Sequence, residues 1–292
     1  MDYPSTVADL TAALRNGGYL ADRGLATTLH VALRLRRPVL LEGEVGVGKT
    51  EAAKALAAIF GRRLIRLQCY EGIDTSQAIY EWDYARQLMH IRALQTASQD
   101  GLASSPTQLF GPEFLIERPL LAALRAGDGA VLLIDEVDRA DDEFEAFLLE
   151  ILSDFQVTIP EIGTVRAQSA PTVIVTSNRT RELHDALRRR CLYHWVGYPT
   201  PEREAEIVAT RAPGADRELT RKVVAAVHRL RDMELAKPPG VAETIDWVAA
   251  LDVLGEDDLT AEAARDTLGA IVKDRDDLDL VHERLAEIVQ GA

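Results

Sequence analysis

Cysteine is scarce in this sequence, and its scarcity excludes two kinds of site. Cys69 and Cys191 are the only two cysteines among 292 residues. They lie too far apart for a CxxC motif and are too few for a disulfide framework, so we expect a protein of the reducing cytoplasm. The six histidines form no HxxxH or HExxH pattern, which argues against a transition-metal site.

Long apolar runs and excess positive charge are also missing. No apolar run approaches the ~18 residues of a membrane-spanning helix, and residues 1–10 lack the basic-then-apolar pattern of a secretory signal. We therefore expect no membrane span and no signal. The formal net charge is −14, which opposes nucleic-acid binding, although the arginines between residues 179 and 190 can form a local basic patch.

Short apolar segments alternate with segments of helical periodicity over the first 200 residues. This alternation favours a parallel sheet with helices on both faces. After Pro201 only helical periodicity continues. We therefore predict an α/β domain over residues 1–200 and a small all-α domain over residues 201–292. The predicted strands cover residues 37–44, 64–68, 130–136, 171–178 and 193–199.

Two further elements interrupt the alternation. Residues 74–117 are longer than one helix needs, and Tyr80, Trp82 and Tyr84 alternate as on a strand. We predict an inserted subelement there, and core packing is the alternative explanation for these aromatics. Residues 156–167 place β-branched residues on both sides of a Pro-Glu-Ile-Gly turn, which predicts a hairpin.

The segment GEVGVGKT follows a predicted strand and begins a helix. It matches G-x-x-x-x-G-K-[ST], in which backbone N–H groups and a helix N-terminus surround a polyphosphate. Lys49 would reach the outer phosphates, and the Thr50 hydroxyl would ligate Mg²⁺. The alternative is a glycine-rich turn that binds nothing. The predicted nucleotide-binding residues are Gly43, Glu44, Val45, Gly46, Val47, Gly48, Lys49, Thr50 and, from a later strand, Asp135.

Paired acids end the apolar segment VLLIDE. In a P-loop hydrolase a second strand ends in an acid that assists Mg²⁺, and a further group positions the attacking water. We predict the first role for Asp135, together with Thr50 as a metal ligand, and the second for Glu136. The alternative is a solvated acidic turn, to which Asp138 belongs more plausibly than to the site.

A polar strand end and an arginine run complete the candidates. Asn178 ends the segment VIVTSN and is predicted to orient the attacking water. The run LRRRC contains Arg188, Arg189 and Arg190, one of which can act as an arginine finger supplied by a neighbouring subunit. The alternatives for this run are a solvated basic turn or a contact with nucleic-acid phosphate.

These elements, in this order, resemble those of an AAA+ ATPase. GEVGVGKT is similar to its Walker A motif and VLLIDE to its Walker B motif. Asn178 lies where the sensor 1 residue would be, and Arg190 resembles the finger arginine, with Arg188 and Arg189 as close competitors. The resemblance implies a P-loop core with a five-stranded parallel sheet of order 5-1-4-3-2, an all-α lid, ATP and Mg²⁺ as cofactors, and a homo-oligomeric ring, usually a hexamer.

Longer segments narrow the resemblance. RPVLLEGEVGVGKTEAAKALA, LLIDEVDRA and VTIPEIGTVRA resemble the MoxR family, while LQCYEGID, YEWDYARQ, ALRRRCLYHWVGYP and KPPGVAETIDWVAAL resemble its CoxD-like subfamily. The resemblance implies an ATP-driven chaperone that matures a metalloenzyme, for example a molybdenum-containing dehydrogenase. It also implies a partner with a von Willebrand factor A domain.

One position departs from the pattern of related lids. Many carry a sensor 2 arginine, and here the matching stretch GVAETI has Thr244 in its place, so no sensor 2 residue is predicted. The nucleotide base is expected against backbone near residues 18–24, with Tyr19 and Leu20 as candidates.

Other function classes remain open at this point. A nucleic-acid motor or loader is favoured by the arginine run and opposed by the negative net charge. A nucleotide-gated scaffold with very slow turnover is opposed by Glu136 and the finger candidate. A small-molecule kinase would need an acceptor site, for which the sequence gives no signal.

Overall fold

The structure is a computed structural model that describes residues 3–97 and 109–290. The remaining part of the predicted insert, residues 98–108, lies outside the described residues. The strands are β1 (Val39–Gly43), β2 (Arg63–Gln68), β3 (Tyr80–Trp82), β4 (Leu115–Glu117), β5 (Ala130–Asp135), β6 (Gln156–Ile159), β7 (Gly163–Arg166), β8 (Thr172–Ser177) and β9 (Leu192–Val196).

The helices fall between and after these strands. The first eight are α1 (Val7–Asn16), α2 (Arg23–Leu35), α3 (Lys49–Ile59), α4 (Thr75–Ala78), α5 (Tyr84–Ala97), α6 (Pro119–Ala126), α7 (Asp142–Asp154) and α8 (Asp185–Arg190). The last five, which we call the lid, are α9 (Pro201–Arg211), α10 (Arg217–Arg231), α11 (Val241–Leu254), α12 (Ala261–Ile271) and α13 (Arg275–Gln290).

The main sheet has five strands in the order β2-β5-β8-β1-β9. Numbered along the chain, this is the predicted order 5-1-4-3-2, which is confirmed. The pairings β2–β5, β5–β8 and β1–β8 are parallel. Every residue of β1 and β5 is buried. This burial explains why their sequences are mostly apolar, since helices cover both faces of the sheet. The fold class predicted from the sequence is therefore confirmed.

Two small antiparallel pairs accompany the sheet. The predicted hairpin is confirmed, with Val157 opposite Val165 across β6 and β7. In the insert, β3 pairs with β4, and Trp82 packs edge-on against Phe110 with ring centroids 5.2 Å apart. Placing Tyr84 on this strand was wrong. The Asp83 carboxylate accepts a hydrogen bond from the Arg86 N–H at 2.9 Å, which caps α5 and ends the extended chain.

The chain divides into two compact units. The first comprises the described residues of Met1–Leu10, Arg23–Glu42 and Ala53–His194. Its apolar core includes Leu40, Leu121, Leu132, Leu148 and Val175. These side chains come from β1, β5 and β8 and from α6 and α7, so the core lies between the sheet and its helices.

The second unit contains the lid together with two earlier segments, Thr11–Asp22 and Gly43–Ala52. Its lid core surrounds Trp247, which is fully buried and whose indole N–H donates to the Thr267 hydroxyl at 2.7 Å. The predicted boundary near residue 200 stays a prediction. No helix in the described part of the chain is long and apolar enough to cross a membrane.

Candidate functional site

The phosphate loop joins the end of β1 to the start of α3. Gly46 and Gly48 have φ angles of +77° and +91°, which side chains with a Cβ rarely adopt. The Lys49 side chain turns back into the loop, and its Nζ donates to the Gly43 and Glu44 carbonyls at 2.7 and 2.6 Å. The lysine is only 7% exposed, so the loop holds its charge on its inner side. This arrangement suits a polyphosphate, whose oxygens accept from the same donors.

The segment before α2 lies against this loop in the second unit. The Tyr19 hydroxyl donates to the Gly48 carbonyl at 3.4 Å, and burial, together with the charge of Asp22, raises the tyrosine pKa. The Leu20 carbonyl accepts a hydrogen bond from Arg203 of α9 at 2.9 Å. The structure thus places the segment beside the loop, and its contact with a nucleotide base stays a prediction.

Asp135 is held from both sides at the end of β5, in the first unit. It is 3% exposed. Its Oδ1 accepts from the Thr176 hydroxyl at 2.5 Å, and its Oδ2 accepts from Arg66 Nε and Nη2 at 2.9 and 2.6 Å. A buried carboxylate oriented by such donors is a hard oxygen ligand of the kind that Mg²⁺ prefers. Asp135 therefore fits the predicted metal role, and the Thr50 hydroxyl of the second unit is an oxygen of the same hard kind.

Glu136 has a left-handed backbone conformation, with φ 54° and ψ 51°. This conformation is strained for a residue with a side chain, and such strain is concentrated at functional sites. The Glu136 N–H donates to the Thr176 hydroxyl at 2.9 Å. Its Oε2 accepts from Gln68 at 3.0 Å and from Arg139 at 3.1 Å. The carboxylate is therefore oriented by neighbours on two sides, as a group that positions a water molecule has to be.

Arg66, Gln68 and Thr176 were missed in the sequence. Arg66 and Gln68 lie two residues apart on β2, so they share a face, and Gln68 is paired with Asp135 in the register. Alternation in RLIRLQ, combined with the predicted neighbourhood of strands 2 and 3, was the available signal. Thr176 is two residues before Asn178 and connects Asp135 to the Glu136 backbone.

Asn178 follows β8, and its position depends on Asp138. The Asp138 carboxylate accepts from the Asn178 N–H at 3.1 Å and from the Thr180 N–H at 2.8 Å. Burial opposes ionisation of Asp138, but the hydrogen bonds from Thr180 and Asn178 outweigh it and lower the pKa. The expectation that Asp138 belongs to a solvated turn was wrong. It is 2% exposed because it binds the backbone that follows β8.

The three arginines of α8 have different surroundings. The Arg188 guanidinium lies 3.7 Å from the buried Glu42 carboxylate and over the Tyr193 ring, 5.8 Å from its centroid. The carbonyls of Arg189 and Arg190 accept from Arg37, while the side chains of both are exposed. Arg188 is thus engaged within its own chain, which leaves Arg189 and Arg190 as the better finger candidates.

Thr244 lies in the first turn of α11 and is fully buried. Its hydroxyl donates to Glu204 Oε1 of α9 at 2.6 Å. The position that would carry a sensor 2 arginine therefore presents no side chain to solvent, and it belongs to a buried polar cluster of the lid.

Comparison with known protein families identifies the family of the domain that contains these residues. Residues 38–191 match the model of the AAA domain (dynein-related subfamily). The chain belongs to this AAA family. The matched residues contain the phosphate loop, the acids after β5, Asn178 and the arginine run, and the domain that they form is an AAA ATPase domain. Which of its residues carry out hydrolysis stays a prediction.

Individual relatives agree with this family. Protein NorQ of Paracoccus denitrificans is 26% identical over 68% of this chain and 66% of its own length. Chaperone MoxR1 of Mycobacterium tuberculosis is 27% identical over 63% of this chain and 42% of its own length. Both similarities support the MoxR family of AAA+ proteins. The chain spans less than two thirds of the length of these two relatives.

A solved structure shows the same fold. A single-residue mutant of RuvB from Thermotoga maritima superposes with a TM-score of 0.52, at 17% identity, over 99% of this chain and 81% of its own. At this identity the likeness concerns the fold alone.

Proposed function

We propose that this AAA ATPase is a ring-forming MoxR-type chaperone of the CoxD-like subfamily that remodels or matures a metalloenzyme client in the cytoplasm. A von Willebrand A-domain protein is its proposed partner, and a molybdenum-containing dehydrogenase is an example of the client. The observation that carries the proposal is the similarity to MoxR1, a protein named as a chaperone, over 63% of the chain. The similarity to NorQ over 68% of the chain supports the same family.

The proposed chemistry assigns a role to each site residue. ATP bound with Mg²⁺ would supply the phosphoryl group that is transferred to water. Lys49 would bind the outer phosphates, and Thr50 and Asp135 would hold the metal. Glu136 would accept the proton of the attacking water as general base, and Asn178 would help to orient that water. The hydrogen bonds that hold Asp135 and Glu136 support this assignment, because catalytic groups need a fixed orientation.

The proposed ring would place Arg190 of one subunit at the nucleotide of its neighbour. Arg190→Ala is expected to lower the ATPase rate by ~10³–10⁵, the usual contribution of an arginine finger. Mixing Arg190→Ala with Glu136→Gln subunits should restore part of the rate, because some sites then combine an intact Glu136 with a neighbour's intact Arg190. Steady-state phosphate release over a series of mixing ratios measures the rescue.

The control for this mixture is the double variant Glu136→Gln/Arg190→Ala in place of the single Glu136→Gln variant. It cannot supply a finger and should give no rescue. A mixture of the single variants that stays inactive at every ratio would exclude Arg190 as a finger supplied by another subunit. Repeating the series with Arg189→Ala then tests the competing arginine.

The chaperone proposal is tested by reconstitution with the proposed partner and client. A molybdenum-containing dehydrogenase isolated in its immature form, with its von Willebrand A-domain protein, should gain activity when the chain and ATP are added. Glu136→Gln should give no gain. The proposal fails if the dehydrogenase matures equally with that variant, or if duplex DNA rather than the client stimulates ATP turnover, as a nucleic-acid motor would require.

A further inference from the structure

The lid meets the phosphate loop at two glycines of the second unit. A Cβ built on Gly240 would lie 2.7 Å from Gly46 Cα and 2.8 Å from the Val45 carbonyl oxygen. A Cβ on Gly46 would lie 3.0 Å from Gly240 Cα. Glu243 Oε2 also lies within 3.0 Å of both Cβ positions and can move aside, but the backbone atoms next to Gly240 cannot. The close approach therefore requires glycine at position 240, and the φ angle of +77° favours glycine at position 46.

The first turn of α11 binds the phosphate loop through its backbone. The Val241 N–H donates to the Gly46 carbonyl at 3.1 Å, and the Ala242 N–H lies 3.4 Å from the same oxygen. The first N–H groups of a helix normally bind water or a capping side chain. Here they bind the loop instead, while the Glu243 carboxylate accepts from the remaining Gly240 N–H at 3.0 Å.

A buried ion pair holds the Pro239–Gly240 segment in this position. Arg231 donates to both oxygens of Glu204, at 2.6 and 2.7 Å, and its Nε donates to the Pro239 carbonyl at 2.7 Å. The Glu204 side chain is fully buried and the Arg231 side chain is 6% exposed. Burying such a pair is costly unless its remaining hydrogen bonds are satisfied, and the Thr244 hydroxyl satisfies another of them.

Two neighbouring aromatic side chains restrict the ion pair further. The Arg231 guanidinium stacks on the Tyr198 ring, 4.3 Å from its centroid, and His228 lies 2.9 Å from Glu204 Oε2. The planar guanidinium is therefore fixed by the two carboxylate oxygens of Glu204, the face of the Tyr198 ring and the Pro239 carbonyl. A shift of this arginine would shift the Pro239–Gly240 segment that lies on Gly46.

We propose that the Pro239–Gly240 segment, positioned by the Glu204–Arg231 pair, fixes the phosphate loop in its ATP-binding conformation through the Gly46 backbone. Gly240, Arg231 and Glu204 are positioning residues in this proposal. They affect ATP binding through the phosphate loop and do not contact ATP themselves. The lid has Thr244 at the position of a sensor 2 arginine, so no arginine at that position acts on the nucleotide. The proposal rests on the proposed binding of ATP by the phosphate loop and is independent of the proposed client.

Gly240→Ala tests the proposal, with Gly269→Ala as its matched control. A Cβ on Gly269, in the lid helix α12, meets no atom within 4 Å. We expect Gly240→Ala to raise the KM for ATP about tenfold, which corresponds to the loss of one backbone hydrogen bond and the accompanying shift of the loop. The kcat should stay within about twofold of the wild-type value. Gly269→Ala should leave both unchanged. Direct titration with a fluorescent ATP analogue measures the affinity itself, because KM equals Kd only when chemistry is slow.

The split between KM and kcat separates positioning from a purely structural role. A variant that only destabilises the fold would lower the fraction of active protein, so kcat would fall at unchanged KM. That result, or an ATP affinity equal to that of Gly269→Ala, would overturn the proposal. If Gly240→Ala shows no cooperative thermal unfolding, Arg231→Lys replaces it in the same measurements. We expect a higher KM for ATP here too, because lysine cannot bind both oxygens of Glu204 and the Pro239 carbonyl at once. Its control is Arg221→Lys, at an exposed position of α10.

Discussion

Glu136→Gln is expected to abolish ATP turnover while ATP binding stays intact. The amide keeps the shape of the side chain and can still be bound by Gln68 and Arg139, which contact the Glu136 carboxylate at 3.0 and 3.1 Å. It cannot accept a proton from water. General-base catalysis contributes ~10²–10⁴ in rate, so we expect a loss of at least that size. Steady-state phosphate release and titration with a fluorescent ATP analogue measure the two properties separately.

Glu150→Gln is the control for this prediction. Glu150 is exposed on α7, shortly after the acids in the chain, so the change removes the same charge outside the site. We expect wild-type turnover for it. Wild-type turnover in Glu136→Gln would refute the general-base role, whereas a loss of ATP affinity in that variant would show that Glu136 contributes to binding.

Local patterns were sufficient to predict the strands of the main sheet and the phosphate loop. GEVGVGKT carries its own backbone requirements, since Gly46 and Gly48 adopt positive φ angles. The strands β1, β5 and β8 are rich in apolar residues because they are covered on both faces. The AAA+ resemblance then gave the order of the strands, which periodicity alone does not determine.

The partners of the acids could not be predicted in the same way. Contacts of Arg66 with Asp135 and of Gln68 with Glu136 depend on the register between β2 and β5, and a shift of one residue would turn both side chains to the other face. For Asp138, the local sequence pattern itself was misleading. Its neighbours in the sequence are acidic and suggest a solvated turn, but it is buried because it binds the backbone of Asn178 and Thr180.

The glycine contact in the second unit was also outside the reach of sequence patterns. Gly240 follows two prolines, which indicate only a turn, and it is far from Gly46 along the chain. Only the packing shows that position 240 needs a residue without a Cβ. The departure at Thr244 was visible in the sequence, but its hydrogen bond to Glu204 was not.

Lys49→Ala is expected to remove ATP binding, in contrast to Glu136→Gln. The ammonium group is held inside the phosphate loop by the Gly43 and Glu44 carbonyls, so its charge is already positioned for phosphate. A ligand present at ~100 times its Kd stabilises a protein by ~2.7 kcal/mol, which corresponds to a rise in Tm of several degrees for a domain of this size. We expect wild type to show this rise with ATP and Mg²⁺, and Lys49→Ala to show almost none.

Lys54→Ala distinguishes this effect from a general loss of positive charge. Lys54 is exposed on α3, a little more than one helical turn after Lys49, and its replacement should preserve the ATP-dependent rise in Tm. Because Lys49 also bonds the loop carbonyls, its replacement changes the Tm without ATP as well, so the shift on adding ATP is the quantity to compare. An undiminished shift in Lys49→Ala would show that GEVGVGKT does not bind the triphosphate, and the roles proposed for Asp135 and Glu136 would lose their substrate.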